Sequence, residues 1–198
     1  MKFFKQCIII PALVFMTAAV HAQEVDITKG NITFLKDEKS INLEFVYDKM
    51  SVGDFGKEKD YIKKRVEEAN AKDGSGDIWA RRWEDDKQNM FPEKFKKGFT
   101  DETGMTIDKN AKYTLIFSTT ALEPGYQIGI SKRNAGVDGQ VWIVETANKE
   151  KKLAVLMVER APETKWRGAA YDASNRIGDA YFLDGKKVGI FIRKNMKE

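Results

Sequence analysis

The alternation of apolar and polar positions divides the chain into strand-like and helix-like stretches. From Ser40 to Tyr47, Ile41, Leu43, Phe45 and Tyr47 share one face, while Asn42, Glu44 and Asp48 share the other. This is the period-two pattern of a half-buried strand. Asn31–Leu35 reads as its hairpin partner, with Lys36-Asp37-Glu38-Lys39 as the turn. Gln23 to Lys29 reads as a short mobile start. Glu58 to Lys72 is charged and free of β-branched runs, and Ile62, Val66 and Ala69 recur at helical spacing. That predicts a surface helix with a thin apolar stripe, ended by Asp73-Gly74-Ser75-Gly76. Asp77 is placed to cap a second helix through about Asn89. Pro92 suits the first turn of a third, with Phe91, Phe95 and Phe99 on its inner face.

Beyond residue 110 the period changes. Lys112 to Leu122 alternates, with Tyr113, Leu115 and Phe117 on one side, and ends at the turn Glu123-Pro124-Gly125. Tyr126 to Ser131 is a short strand and Asn134 to Gly136 a loop. Val137–Thr146 and Lys151–Arg160 predict a hairpin across Ala147 to Glu150, and both runs are rich in Val, Ile and Leu. Ser174 to Met196 admits two readings. Asp184-Gly185 fits a tight hairpin turn. A helix capped at Ser174 instead puts Ile177, Ala180, Tyr181, Val188, Phe191 and Ile192 on one face. Gly178, Gly185 and Gly189 count against the helix by about 1 kcal/mol each. The helix is preferred, because a hairpin leaves Asn175 to Asp179 unaccounted for.

The first 22 residues read as a cleaved secretory signal. Lys2 and Lys5 supply the positive start, Ile8 to Val14 the apolar stretch, and Val20-His21-Ala22 the small residues before a cut at Gln23. Ile8 to Ala22 is shorter than the roughly 20 residues a membrane span needs. Cys7 stands too early to carry a lipid at the cleavage point. The chain's one cysteine and one histidine, Cys7 and His21, both leave with the signal. Residues 23–198 then hold no thiol nucleophile, no Ser-His-Asp triad, no Cys/His zinc site and no disulfide. Loss of Lys2 and Lys5 takes the formal charge from +4 to +2. Charges of both signs are interspersed, which is not the clustered basic footprint of a nucleic-acid binder. No repeat or linker interrupts residues 23–198, so they form one domain.

Candidate chemistry is sparse. Trp79 and Trp83, four apart on one helix face, would make a sugar platform if exposed and a core stripe continued by Met90 if packed. Asp73, Ser75, Asp77 and Glu84 echo a calcium loop, but Ile78 stands where the loop needs glycine. The plain reading is a turn and a helix cap. Glu123 and Glu145 flank apolar strands and are the carboxylates to inspect for glycoside hydrolysis. There is no Gly-x-Ser-x-Gly elbow, phosphate loop or Ser-x-x-Lys. Lys132-Arg133 and Lys165-Trp166-Arg167 fall in loops beyond the same end of the predicted 137–160 hairpin. Lys132, Arg133, Trp166 and Arg167 therefore form a candidate binding patch. Arginine offers a fork for carboxylate or phosphate and tryptophan a stacking face.

The order of a strand, the turn at Glu123-Pro124-Gly125, a loop, the hairpin around Glu145-Thr146-Ala147-Asn148-Lys149 and a C-terminal helix resembles a secreted bacterial family of unknown function over roughly Lys29 to Lys194. More distantly, over Lys112 to Lys194, it is similar to the periplasmic α/β domains of outer-membrane accessory lipoproteins. The resemblance implies an envelope compartment and a sheet packed against helices, and no catalytic residue. The expectation is an α/β domain of the α+β type: a mostly antiparallel sheet of five or six strands against three or four helices. The expected function is a secreted or periplasmic, non-enzymatic module that binds an envelope protein or an anionic glycan, without cofactor or metal. The alternatives are a two-carboxylate hydrolase of cell-wall or dietary glycans, and a small-molecule binder with a pocket between sheet and helices.

Overall fold

The computed structural model describes residues 25–128, 130–160 and 173–196. The expected signal and cleavage point lie outside these residues, as do Trp166 and Arg167. In chain order the elements are β1 (Val25–Gly30), β2 (Ser40–Val46), β3 (Ser51–Val52), α1 (Glu58–Asp73), α2 (Gly76–Asp85), a π turn (Asp86–Met90), α3 (Phe91–Thr103), β4 (Thr106–Ile107), β5 (Tyr113–Glu123), β6 (Tyr126–Ile128), β7 (Ser131–Arg133), β8 (Gly136–Glu145), β9 (Asn148–Val158) and α4 (Ala173–Asn195).

Seven strands form one sheet in the order β1-β9-β8-β5-β2-β4, with β3 also paired to β5. The long ladders β9/β8 and β8/β5 are antiparallel. β2 and β3 lie parallel to β5 along its other edge. β5 is central because its residues are apolar on both faces: Leu115, Ile116 and Phe117 in succession are all buried. The sheet has more strands than expected because β3 and β4 are two-residue strands too short to show a period. β6 and β7 form a separate two-stranded ribbon.

The expected 31–47 hairpin is not present. Thr33–Leu35 is a single 3-10 turn. Asn31 starts it by accepting the Thr33 N–H at 3.3 Å and the Thr33 hydroxyl at 2.8 Å, as asparagine does in local turns. The neighbour of β2 is β5 instead, in parallel register with Leu43 opposite Leu115. The mobile start expected over Gln23 to Lys29 is overturned from Val25 on: Val25–Gly30 is an edge strand antiparallel to β9. Its partner lies more than a hundred residues on, beyond the reach of any local pattern.

The helices pack on the sheet face that carries Leu115, Phe117, Val141, Ile143 and Leu156, and together they close one hydrophobic core. Gly74 ends α1 in the left-handed region, at φ 76°, where glycine alone is unstrained. α2 then begins at Gly76 rather than behind an Asp77 cap; the Gly76 N–H is satisfied by Asn70 Oδ1 at 2.8 Å. α2, the π turn and α3 run on without a break, so Pro92 does not open a new helix. The Phe91 N–H reaches back five residues to the Asp86 carbonyl. Pro92 has no N–H for the next bond in that register, and the Tyr47 hydroxyl donates to the Lys87 carbonyl instead, at 2.9 Å.

α4 is a helix of 23 residues, as preferred from sequence. Its glycines explain why it can lie where it does. A Cβ on Gly185 would strike the Phe95 carbonyl, and one on Gly98 the Phe182 carbonyl. The α3 and α4 backbones thus meet with no side chain between them. Around this seam Phe91, Phe95, Phe99, Ile177, Tyr181, Val188 and Ile192 are fully buried. The Phe91 and Tyr181 rings stack at 5.1 Å, and Tyr181 meets Phe117 of the sheet edge-on at 5.9 Å.

Candidate binding site

The β5/β8 ladder sets the distance between the two carboxylates of interest. Glu123 pairs with Gly136 at one end, and Glu145 with Tyr113 at the other. Ten residues of strand at roughly 3.3 Å each separate them by about 30 Å. Carboxylates that share a glycosidic bond stand only about 5–10 Å apart. Glu123 is also committed. It is buried, its Oε1 accepts the Gly125 N–H at 3.0 Å, and its Oε2 accepts Arg133 Nη1 at 3.2 Å. The first bond clamps the Pro124-Gly125 turn, where Gly125 holds φ 66°. The Gly125 carbonyl in turn accepts Arg176 Nη2 of α4 at 3.2 Å.

This turn forms one wall of an open cleft of about 440 Å3 at the end of the sheet, lined chiefly by Ser51, Gly53, Asp54, Glu123, Arg133 and Arg160. Arg133 comes from β7 and lies over the Tyr126 ring, 5.6 Å from its centroid. Its Nη1 bridges buried Glu123 and Asp54, the latter at 3.1 Å. The Asp54 side chain is 85% exposed. The Glu123 and Asp54 hydrogen bonds push the Arg133 pKa further up, so the cation is permanent. Arg160 follows β9 and is held by Asp138, which accepts its backbone N–H at 2.6 Å and its Nη2 at 3.1 Å. Both guanidinium side chains remain nearly half exposed.

Of the four residues expected to form a patch, Arg133 lines this cleft. Lys132 is exposed on β7 opposite Gln127, outside the cleft lining. Trp166 and Arg167 lie outside the described residues. Arg160 and Asp54 were missed. Arg160 reads as the charged end of an apolar run and Asp54 as one more loop acid, and only the fold brings them to Arg133.

The remaining candidates fall to packing. Trp79 and Trp83 stack on each other at 5.7 Å, and Trp83 is 3% exposed. Its indole N–H donates to Glu58 Oε1 at 2.7 Å, and Lys87 bridges Glu58 and Glu84 at 2.8 Å each. The residues of the calcium-like pattern from Gly76 onward are helical, and Glu84 serves this ion pair. Among the described residues, no three or more His, Cys, Asp or Glu gather to hold a metal. Below the π turn sits a buried polar cluster in which the Tyr181 hydroxyl and Thr119 Oγ1 lie 2.7 Å apart. Burial drives the Tyr47 and Tyr181 pKa values above the ordinary tyrosine value.

No family model and no curated protein matches the sequence. Among solved structures, the chain is similar to the PelC dodecamer from Paraburkholderia phytofirmans, with a TM-score of 0.39 and 11% identity over 84% of this chain and 98% of that one. A point variant of the same dodecamer gives a TM-score of 0.38 and 11% identity over 82% and 97%. A likeness this distant assigns neither ligand nor assembly state to the present chain. No helix among the described residues is long and apolar enough to cross a membrane.

Proposed function

We propose that the chain is a secreted or periplasmic, non-enzymatic module that binds an acidic envelope partner, protein or anionic glycan, at the Arg133–Arg160 cleft. The signal-like first 22 residues support the compartment. The observation that carries the binding reading is the asymmetry of the two carboxylates on Arg133. Glu123 is buried and holds the guanidinium in place, whereas Asp54 is solvent-exposed and occupies the outer position. Asp54 stands where an incoming carboxylate would bind and gives way to it. Both Arg133 contacts use Nη1, so the Nη2 and Nε donors of the fork take no part in them. Exposed ion pairs are worth only about 0–1 kcal/mol, so Asp54 is displaced at small cost.

The test is calorimetric titration of residues 23–198 with polygalacturonate and with poly-L-glutamate, at low and at physiological salt. Binding is expected to weaken with salt. Arg133→Ala and Arg160→Ala together should weaken it by about tenfold or more, since hydrogen bonds to charged groups contribute ~1.5–3 kcal/mol. Asp54→Ala should tighten it. Failure of both polymers to bind, or equal binding by the double variant, overturns the reading.

A further inference from the structure

The cleft at the end of the sheet has an apolar rim. Among the described residues, five large hydrophobic side chains are exposed: Ile27, Phe55, Ile78, Tyr126 and Ile130. Taken singly, such side chains are ordinary on a protein surface. Here three of the five belong to the segments that build one cleft. Phe55 ends the short turn Gly53–Phe55, directly after Asp54. A Cβ placed on Gly53 would lie 3.8 Å from Glu123 Oε2 and 4.0 Å from the Phe55 ring, so the ring and the carboxylate flank the same glycine. Tyr126 stands opposite Arg133 in the β6/β7 ribbon. Ile130 lies in the turn between the two ribbon strands and is exposed in full. It precedes Arg133 by three residues, so chain length keeps it within about 11 Å of it.

The chemistry of this rim discriminates between the two partner classes. A glycan needs free ring faces on which its sugars can lie. The Tyr126 face carries the Arg133 guanidinium, 5.6 Å from its centroid, and the Phe55 ring meets Tyr61 edge-on at 5.4 Å. Ile130 is aliphatic and has no ring to offer. An anionic glycan presents hydroxyl and carboxylate groups, and little that would bury such a side chain. A polypeptide presents both kinds of group. Aromatic residues and arginine are also the types enriched at protein–protein interfaces. We propose that the cleft and its rim take an acidic polypeptide, whose carboxylates reach Arg133 and Arg160 while its apolar side chains cover Phe55, Tyr126 and Ile130. This rests on the reading of the cleft as the binding site and narrows its partner to protein. Lys132, exposed on the same ribbon, supplies a further cation for such a segment.

The experiment titrates residues 23–198 calorimetrically with poly-L-glutamate, with the random copolymer of glutamate and tyrosine, and with polygalacturonate, all at one salt concentration. The copolymer is expected to bind about tenfold more tightly than poly-L-glutamate, because its rings bury part of the rim. Ile130→Ser and Phe55→Ser should each reduce that advantage to about threefold or less. Ile78→Ser, an equally apolar change on α2, should retain it. Should Phe55→Ser fail to fold, Ile130→Ser decides alone, because Ile130 is fully exposed. Poly-L-glutamate binding without an advantage for the copolymer overturns the rim and leaves the cleft reading standing. An advantage that survives both Ser variants does the same. Tightest binding by polygalacturonate makes the partner a glycan and overturns the choice of protein. Failure of all three polymers to bind overturns the cleft itself. Sedimentation with phosphatidylglycerol vesicles, and of the protein alone, covers the other occupants. Vesicle binding or self-association that Ile130→Ser abolishes would assign the rim to lipid or to a second copy, and overturn the proposal.

Discussion

Replacing Gly185 with alanine tests the seam between α3 and α4. In an isolated helix this change is favourable by about 1 kcal/mol, because glycine is the poorer helix former. In this fold the sign should reverse. The new methyl would collide with the Phe95 carbonyl oxygen and lie 2.8 Å from its carbon and 3.0 Å from the Phe95 Cα. These are backbone atoms and cannot rotate aside. The two helices must separate, which loosens contacts among Phe95, Phe99, Tyr181 and Val188. Overpacking of this kind costs about 1–3 kcal/mol, sometimes more. With the propensity gain set against it, a net loss of about 1 kcal/mol is expected. That corresponds to a melting temperature lower by roughly 2–4 °C for a domain of this size. Urea unfolding followed by circular dichroism measures it, with exposed Lys194→Ala as the near-neutral control. A Gly185→Ala protein as stable as the parent, or more so, would refute the close approach of the helices.

Mass spectrometry of exported protein should find a mature start at Gln23; an intact Met1 start in the envelope fraction refutes the cleaved signal. Stability should fall as pH rises above about 10. Tyr47 and Tyr181 hold their protons in the fold to higher pH than in the unfolded chain, which binds fewer protons there and is favoured. Tyr47→Phe should flatten the alkaline limb of a pH titration of melting temperature, and an unchanged limb would exclude Tyr47 from it. Phe191 is only partly buried, so Phe191→Ala should lose about half of the ~3–5 kcal/mol of a buried Phe truncation, and less than Tyr181→Ala, as chemical denaturation can show.

What the sequence made legible was set by the range of the interaction responsible. The 136–158 hairpin, β5, the α1 stop at Gly74 and the Phe91, Phe95, Phe99 face depend on neighbours within a dozen residues, and their periods were readable. The β2/β5 pairing was not, since a parallel pair is separated by a long crossover and leaves no turn signature. β1 was hidden for the same reason. Gly178, Gly185 and Gly189 were legible but misweighed: judged as single-helix residues they oppose a helix, while in contact with a second helix they permit it. For the cleft, Arg133 stood out as part of a basic loop. Asp54 and Arg160 carried no local mark, because their relation to it exists only once β3, β7 and β9 converge.

The pairing of β1 with β9, which sets Val25 opposite Val158, also governs the timing of folding. A chain made from its N-terminus exposes β1 first, yet β1 has no partner until nearly the whole sheet has been synthesised. Contacts this distant in sequence form slowly. Until β1 returns, the eleven residues of β9 present an open edge, the kind of surface on which chains join one another. β1 is thus the latch of the sheet. Loosening it would raise the tendency to aggregate.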